Sequence, residues 1–449
     1  MEKEYDLIVI GSGTGGSVAA SKCNQAGWKV AMIDELPFGG TCALRGCDPK
    51  KVLVGVSEYL DGAQRLNGHG INGEVTINWS DLMQFKKTFT ASVPEMKEKG
   101  LNDQGIDTYH GRAKFIDEDK LQLNDTTLKG NYILIATGAS PAKLPIDGSE
   151  HLTYSDDFLE LEQLPNHIVF VGGGYISFEF AHIATRAGAK VQLLHRGDQP
   201  LKAFDSDLVN KLVDYSEELG IDIQLKTEVK EIRKTNNGYL VVAKQGNKTL
   251  EFETDMVVHG AGRTPNIDSL NLDKAGITAS NKGIEVNEFL QSTSNPKIYA
   301  AGDVAATNGK ALTPVAGTES HTVSSNLRKG NHRSIEEQVM PTNVFTLPKL
   351  ASVGLTEEEA STKVSNYTVN AIDTTNWFTY KRTNQPVTFA KVIIDQENDK
   401  VIGAHFLSNE ADELINHFAT AIQFNLATKD LKKMLFAYPT VASDIAHLI

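Results

Sequence analysis

Short apolar runs alternate with glycine turns and amphipathic stretches along this 449-residue chain. Tyr5 to Ile10 is a compact apolar run, which predicts a buried strand. Gly11-Ser12-Gly13-Thr14-Gly15-Gly16 follows it, then a helical stretch from about Ser17 to Gln25. Gly27 closes that helix, and Lys29 to Ile33 predicts a second strand ending at Asp34. Strand, glycine turn, helix and strand in this order form a dinucleotide-binding unit, with G-x-G-x-x-G at its first turn. The pattern returns 161 residues later, with Gly172 in the place of Gly11 and His195 in the place of Asp34. Ile168 to Val171 predicts the strand, and Gly172-Gly173-Gly174-Tyr175-Ile176-Ser177 the turn. Ser177 stands at the third glycine, where a small side chain still permits close helix–strand packing. Near the C-terminus, Lys391–Ile394 and Val401–Leu407 predict neighbouring strands, and Ala411–Phe424 a helix.

One glycine fingerprint is weak evidence, but two with matched flanks predict two dinucleotide sites. Asp34 suits a ribose 2′-hydroxyl. The second site has His195, Arg196 and Lys202 and no carboxylate at that place, which suits a 2′-phosphate and favours NADPH over NADH.

Charge and composition narrow the class. A net charge of −13 argues against a nucleic-acid surface. No apolar run approaches the ~20 residues of a membrane span. The N-terminus is charged and runs directly into a strand, so a cytoplasmic protein is expected. The three cysteines are too few for a disulfide-stapled secreted domain. Cys23 falls within the first predicted helix and reads as packing. Cys42 and Cys47 point to redox chemistry, because the segment offers no Cys or His set for zinc; no metal site is expected. A regular helix would hold residues five apart too far from each other for a disulfide. The pair therefore calls for an irregular helical start, and Gly39, Gly40 and Gly46 supply the freedom.

The redox segment GGTCALRGCDPKK (residues 39–51) resembles that of class I pyridine nucleotide-disulfide oxidoreductases, the family of glutathione reductase and mercuric reductase. The resemblance extends through Tyr132–Gly138, His259–Asn266, Ile298–Val304 and Ala351–Thr356. It implies an α/β fold with two Rossmann-like domains and a C-terminal α+β dimerisation domain. The expected boundaries are an FAD domain at 1–140 and 265–335, a NAD(P)H domain at 141–264, and an interface domain at 336–449. The resemblance also implies roles. Gly11, Gly13, Thr14, Gly15, Gly16 and Asp34 would hold FAD, together with Thr41, Ala113, Thr137, Gly138, Asp303 and Thr313. Gly172, Gly173, Gly174, Ile176, His195, Arg196, Lys202, Gly262 and Arg263 would hold the nicotinamide cofactor. Tyr175 would cover the flavin, and Lys50 and Glu179 would pair beside it. Electrons would pass from NADPH through FAD to Cys47 and Cys42, and on to a small disulfide or other thiol-reactive acceptor.

The C-terminal stretch departs from the reductase pattern. Tyr438 stands where the family's acid–base His is expected, and Ser443 where the Glu that follows it is expected. Tyrosine is a poor base near neutral pH. His447 compensates only if the backbone bends differently. Tyr438 resembles the mercuric reductase pattern, which leaves metal-ion or quinone reduction as an alternative. The chain has no cysteine after Cys47 to deliver a metal ion. A redox sensor or electron-transfer protein is the alternative outside enzymes. A homodimer is expected, with Tyr438 serving the partner's site.

Overall fold

The computed structural model describes residues 2–335 and 339–449. Met1, the first residue of the expected FAD domain, and residues 336–338, the start of the expected interface domain, lie outside them. The chain divides into two compact units: residues 1–50, 84–142 and 262–337, and residues 51–83, 143–261 and 338–449.

The first unit is built on a seven-stranded sheet. Strand β1 (Glu2–Ile10) lies between β2 (Val30–Asp34) and the strand Thr126–Ile135, parallel to both. Ile298–Ala300 pairs in parallel with the far side of Thr126–Ile135. The two-residue period of β1 divides its side chains between two cores. Leu7 and Val9 pack with Ala19, Ala20 and Cys23 of helix α1 (Thr14–Gln25). Ile8 and Ile10 pack on the other face with Phe115, Leu121 and Ile277. Both faces of the strand are buried, which is why it reads as a continuous apolar run. It also starts earlier than its apolar run, because Glu2, Lys3 and Glu4 extend the ladder against Thr127, Leu128 and Lys129 with exposed side chains.

The second unit holds the repeat. His167–Val171, Lys190–Leu194, Ile221–Gln224 and Met256–His259 form a four-stranded parallel sheet. Tyr175–Arg186 is its first crossover helix. A three-stranded antiparallel sheet covers Thr227–Thr254, and a five-stranded antiparallel sheet is formed from Thr342 to Ser408. In that last sheet Phe389–Asp395 and Lys400–Ser408 are antiparallel neighbours. Helix Ala411–Gln423 buries Leu414, Ile415 and Phe418 in the core shared with this sheet. The α/β fold with two Rossmann-like sheets matches the class expected from the sequence. No described helix is long and apolar enough to cross a membrane.

Candidate active site

The two glycine turns are built alike, each within its own unit. Gly11 N–H donates to Ile33 O and has φ +110°, and a Cβ there would lie 2.2 Å from Ala136 O. Gly172 N–H donates to Leu194 O and has φ +109°, and a Cβ there would lie 2.5 Å from Gly260 O. In both units the turn runs under the end of a neighbouring strand, leaving no room for a side chain. Each helix then starts on a glycine without a side-chain cap: Gly13 before α1 and Gly174 before Tyr175–Arg186. Neither first turn carries an acid. Uncapped helix starts with no negative charge suit the pyrophosphates of two dinucleotides. Ser177, the replacement for the third glycine, is fully buried. A Cβ on Gly260 would meet its Oγ at 2.0 Å. The missing side chain at Gly260 thus makes room for the hydroxyl that the second copy carries.

Asp34 is more occupied than its expected ribose role requires. Its Oδ2 accepts from Ser12 N–H at 2.8 Å and Ser12 Oγ–H at 2.6 Å, and its Oδ1 accepts from Leu36 N–H at 2.9 Å. It clamps the first glycine turn to the loop after β2. Ala113 is buried, beyond an exposed Arg112–Glu35 ion pair. Thr137 Oγ1 donates to Asn266 O at 2.7 Å, and Asn266 N–H donates to Gly138 O. The short pair Ala139–Pro141 and Arg263–Pro265 continues this link, with the Arg263 guanidinium donating to Ala139 O. Gly262 has φ +110°. Gly262 and Arg263 thus belong to the first unit.

In the second unit His195 folds back onto its own turn. Its Nε2 faces Gln199 O at 3.0 Å, and a Cβ on Gly173 would meet its ring at 2.7 Å. Burial, with Lys202 and Arg196 adding to it, lowers the imidazole pKa and so disfavours a charge on His195. The positive charge beside this turn therefore comes from Arg196 and Lys202, both exposed, and not from His195. Tyr175 begins the helix after the turn, half exposed, with Ile176 partly buried behind it. Glu179, one turn on, is buried, and its Oε1 accepts from Phe345 N–H at 2.9 Å.

The cysteine pair spans a break between helices. Helix α2 (Gly40–Arg45) ends at Gly46, and α3 (Cys47–Arg65) begins at the next residue. The irregular helical start expected from the spacing is thus two helices, with the chain turned at Gly46. A Cβ on Gly46 would lie 3.0 Å from Thr41 O. Thr41 itself is exposed. The two thiols share a hydrogen bond. Cys47 Sγ lies 3.6 Å from Thr313 Oγ1, at the start of helix Thr313–Lys329. Cys42 Sγ also lies 3.9 Å from Asp48 Oδ1, a second acceptor within reach of its one proton. The hydrogen bond from Cys42 is the main reason the Cys47 pKa falls to about 6. Burial opposes the fall, and Thr313 and the Lys50 charge assist it. Cys42 moves the opposite way, above the ordinary thiol range, first through that same bond and then through burial. The reduced pair is therefore a Cys47 thiolate beside a Cys42 thiol. Cys23 is buried in α1, and burial pushes its thiol up to about 11, as expected of a packing residue.

Sequence reasoning did not single out Glu319. It is buried on Thr313–Lys329, where its two oxygens accept from Gly302 N–H at 2.6 Å and Thr307 Oγ–H at 2.9 Å. It shapes the turn carrying Asp303, and burial raises its pKa. A carboxylate on the inner face of an amphipathic helix was the available signal.

At the C-terminus Tyr438 is 84% exposed. Ser443 caps the final turns, exchanging hydrogen bonds with Thr440. The His447 ring packs edge-on against Trp377. No cluster of three or more His, Cys, Asp or Glu able to hold a metal ion occurs among the described residues.

A model of the pyridine nucleotide-disulphide oxidoreductase family matches residues 5–320, and one of its dimerisation domain matches residues 340–449. The chain belongs to this family. It is 34% identical to a glutathione reductase of Burkholderia cepacia over 99% of this chain and 98% of that one. It is 31% identical to a mercuric reductase of Staphylococcus aureus, covering 98% of this chain and 81% of that one. Among solved structures it resembles the HOCl-induced flavoprotein disulfide reductase RclA from Escherichia coli. The TM-score is 0.88 at 27% identity, over 99% of both chains. As a pyridine nucleotide-disulphide oxidoreductase, the chain is an enzyme that uses FAD and a nicotinamide nucleotide, and its C-terminal part is the family's dimerisation domain.

Proposed function

We propose that this enzyme uses NADPH to reduce a small disulfide or another thiol-reactive acceptor at Cys42, working as a homodimer in the cytoplasm. The observation that carries the reading is the unequal thiol pair at the α2–α3 break. Bound FAD would supply the relay of an electron pair from the nicotinamide to the Cys42–Cys47 disulfide. Cys47 holds the resulting negative charge, with Thr313 donating to it and Lys50 supplying positive charge. Cys42 is the thiol that attacks the acceptor. In this proposal the FAD domain comprises 1–140 and 265–335, the NADPH domain 141–264 and the interface domain 336–449. The turns at Gly11–Gly16 and Gly172–Ile176 hold the two pyrophosphates, with Thr41, Ala113, Thr137, Gly138, Asp303 and Thr313 lining the FAD side. Lys50 and Glu179 pair beside the flavin, Tyr175 covers it, and Gly262 and Arg263 complete the nicotinamide side.

Arg196 and Lys202 support NADPH over NADH, since both are exposed cations in the loop after Lys190–Leu194. Tyr438 in place of His favours a second reading, in which the acceptor is a metal ion or quinone whose reduction needs no protonated leaving thiol.

An anaerobic NADPH titration, followed by comparison of small disulfides, Hg2+ and quinones as acceptors, separates the two readings. A long-wavelength absorbance that requires Cys47, and turnover that requires Cys42, are expected with a disulfide. Undiminished disulfide turnover in Cys42→Ser would sink the thiol route.

A further inference from the structure

We propose that Asp48 is the acid–base partner of Cys42, taking the thiol proton as Cys42 Sγ attacks and returning it to the departing thiolate. The inference rests on the reading of Cys42 as the attacking thiol. Its basis is geometric. Asp48 is the second residue of α3, and the break at Gly46 brings it back toward α2, with Oδ1 3.9 Å from Cys42 Sγ. That distance is within reach of a sulfur donor, and Asp48 is exposed, so its carboxylate can exchange a proton with an incoming molecule. The place where the family's acid–base His is expected holds Tyr438, and a phenol is a poorer base than an imidazole. Ser443 there is engaged in capping, and His447 packs on Trp377. Asp48 therefore offers the attacking sulfur a proton acceptor within its own redox segment.

Cys47 and Asp48, both from α3, act on Cys42, and Lys50 from the same helix acts on Cys47. Thr313 faces the pair from its own helix. The Asp48 carboxylate also helps, through its negative charge, to keep the proton on Cys42 until the attack.

The step balances as follows for an acceptor R–S–S–R. The Cys42 S–SR bond forms and the acceptor S–S bond breaks, releasing RS⁻. The Cys42 proton passes to the Asp48 carboxylate and then to RS⁻, giving RSH. The Cys47 thiolate then attacks Cys42 Sγ, re-forming the Cys42–Cys47 disulfide and releasing the second RS⁻, which solvent protonates. The acceptor gains two electrons and the dithiol loses two.

The test is single-turnover reoxidation of the NADPH-reduced holoenzyme by two neutral disulfides. Bis(2-hydroxyethyl) disulfide releases an alkyl thiolate that needs a proton. 4,4′-Dithiodipyridine releases a resonance-stabilised pyridine-4-thiolate, a good leaving group that takes its proton from solvent on the ring nitrogen. Asp48→Asn is expected to slow the alkyl disulfide by about a hundredfold, the lower end of what a lost general acid–base costs. It should leave the aromatic one within about threefold, because a lower Cys42 pKa raises the thiolate fraction while lowering its nucleophilicity. Asp48→Glu should recover much of the alkyl rate. The rate of flavin reduction by NADPH monitors the integrity of each variant, and the ratio of the two disulfide rates is a readout that general misfolding does not move. Equal slowing of both disulfides, or of neither, overturns the role of Asp48. Reoxidation that persists in Cys42→Ser overturns the underlying reading instead.

Discussion

The two sulfurs of the redox pair differ because their neighbours differ. Cys42 donates to Cys47, Thr313 can donate to it and Lys50 adds positive charge, which against the cost of burial lowers its pKa to about 6. A thiolate stabilised in this way persists above that value and is lost as the pH falls through it. Thr313→Val removes one charge-assisted hydrogen bond, worth about 1.5 kcal/mol, so the Cys47 transition should rise by about one pH unit. A pH titration of thiolate absorbance in the reduced enzyme reads this shift, and an unmoved midpoint would remove Thr313 from the account. Cys42→Ser should retain FAD and its reduction by NADPH while losing disulfide turnover, measured as NADPH oxidation. The pair itself was legible in the sequence from its spacing and flanking glycines. The partners Thr313 and Asp48 were not assigned to the sulfurs there, because a hydrogen bond to sulfur depends on where a helix starts and how the chain turns at Gly46. Thr313, for example, is 266 residues from Cys47 in the chain.

Among the elements, close backbone approaches decide which turns form. Gly40 opens α2 with φ +72°, and a Cβ there would lie 2.4 Å from Gly13 Cα, in the first dinucleotide turn. Backbone cannot yield as a flexible side chain does, so Gly40→Ala should cost about 1–3 kcal/mol. It should also lower the FAD content of the purified protein, and absorbance ratio together with thermal melting would report both effects. A fully flavinylated variant with wild-type Tm would show that the turn tolerates the methyl. The strands and helices around these turns were largely legible because period and glycine punctuation are local. Helix Ala411–Gln423 ends one residue short of the expected Phe424, which caps it. The conformation of β1 beyond its apolar run was not legible, since the ladder against Thr126–Ile135 sets it.

The second unit holds buried charges that periodicity does not reveal. Asp61 is buried beside Arg186 at 3.0 Å and Arg65 at 2.8 Å. Arg186 also donates to Leu347 O, and His182 beside it is buried and held neutral. Burial opposes ionisation of Asp61, but the two arginines outweigh it and hold its pKa below the usual value. Its stabilisation is present above the ordinary Asp pKa and fades as the pH falls through the lowered one. Asp61→Asn leaves Arg186 without its counter-charge, which should cost about 3 kcal/mol at neutral pH, read from urea unfolding. A loss below about 1 kcal/mol would mean that the surrounding carbonyls suffice. Light scattering should give twice the chain mass for the assembled enzyme.

The sequence by itself determined the two glycine turns, the spacing of Cys42 and Cys47 and the presence of Tyr438 near the C-terminus. Each is a short segment whose residue types carry the chemistry directly. Tertiary structure decided what those segments meet. It joined Asp34 to Ser12 and Leu36, folded His195 back onto Gln199, placed Glu319 under the Asp303 turn and brought Asp48 to Cys42. These outcomes depend on burial and on distances across the fold, which residue order along the chain does not encode locally.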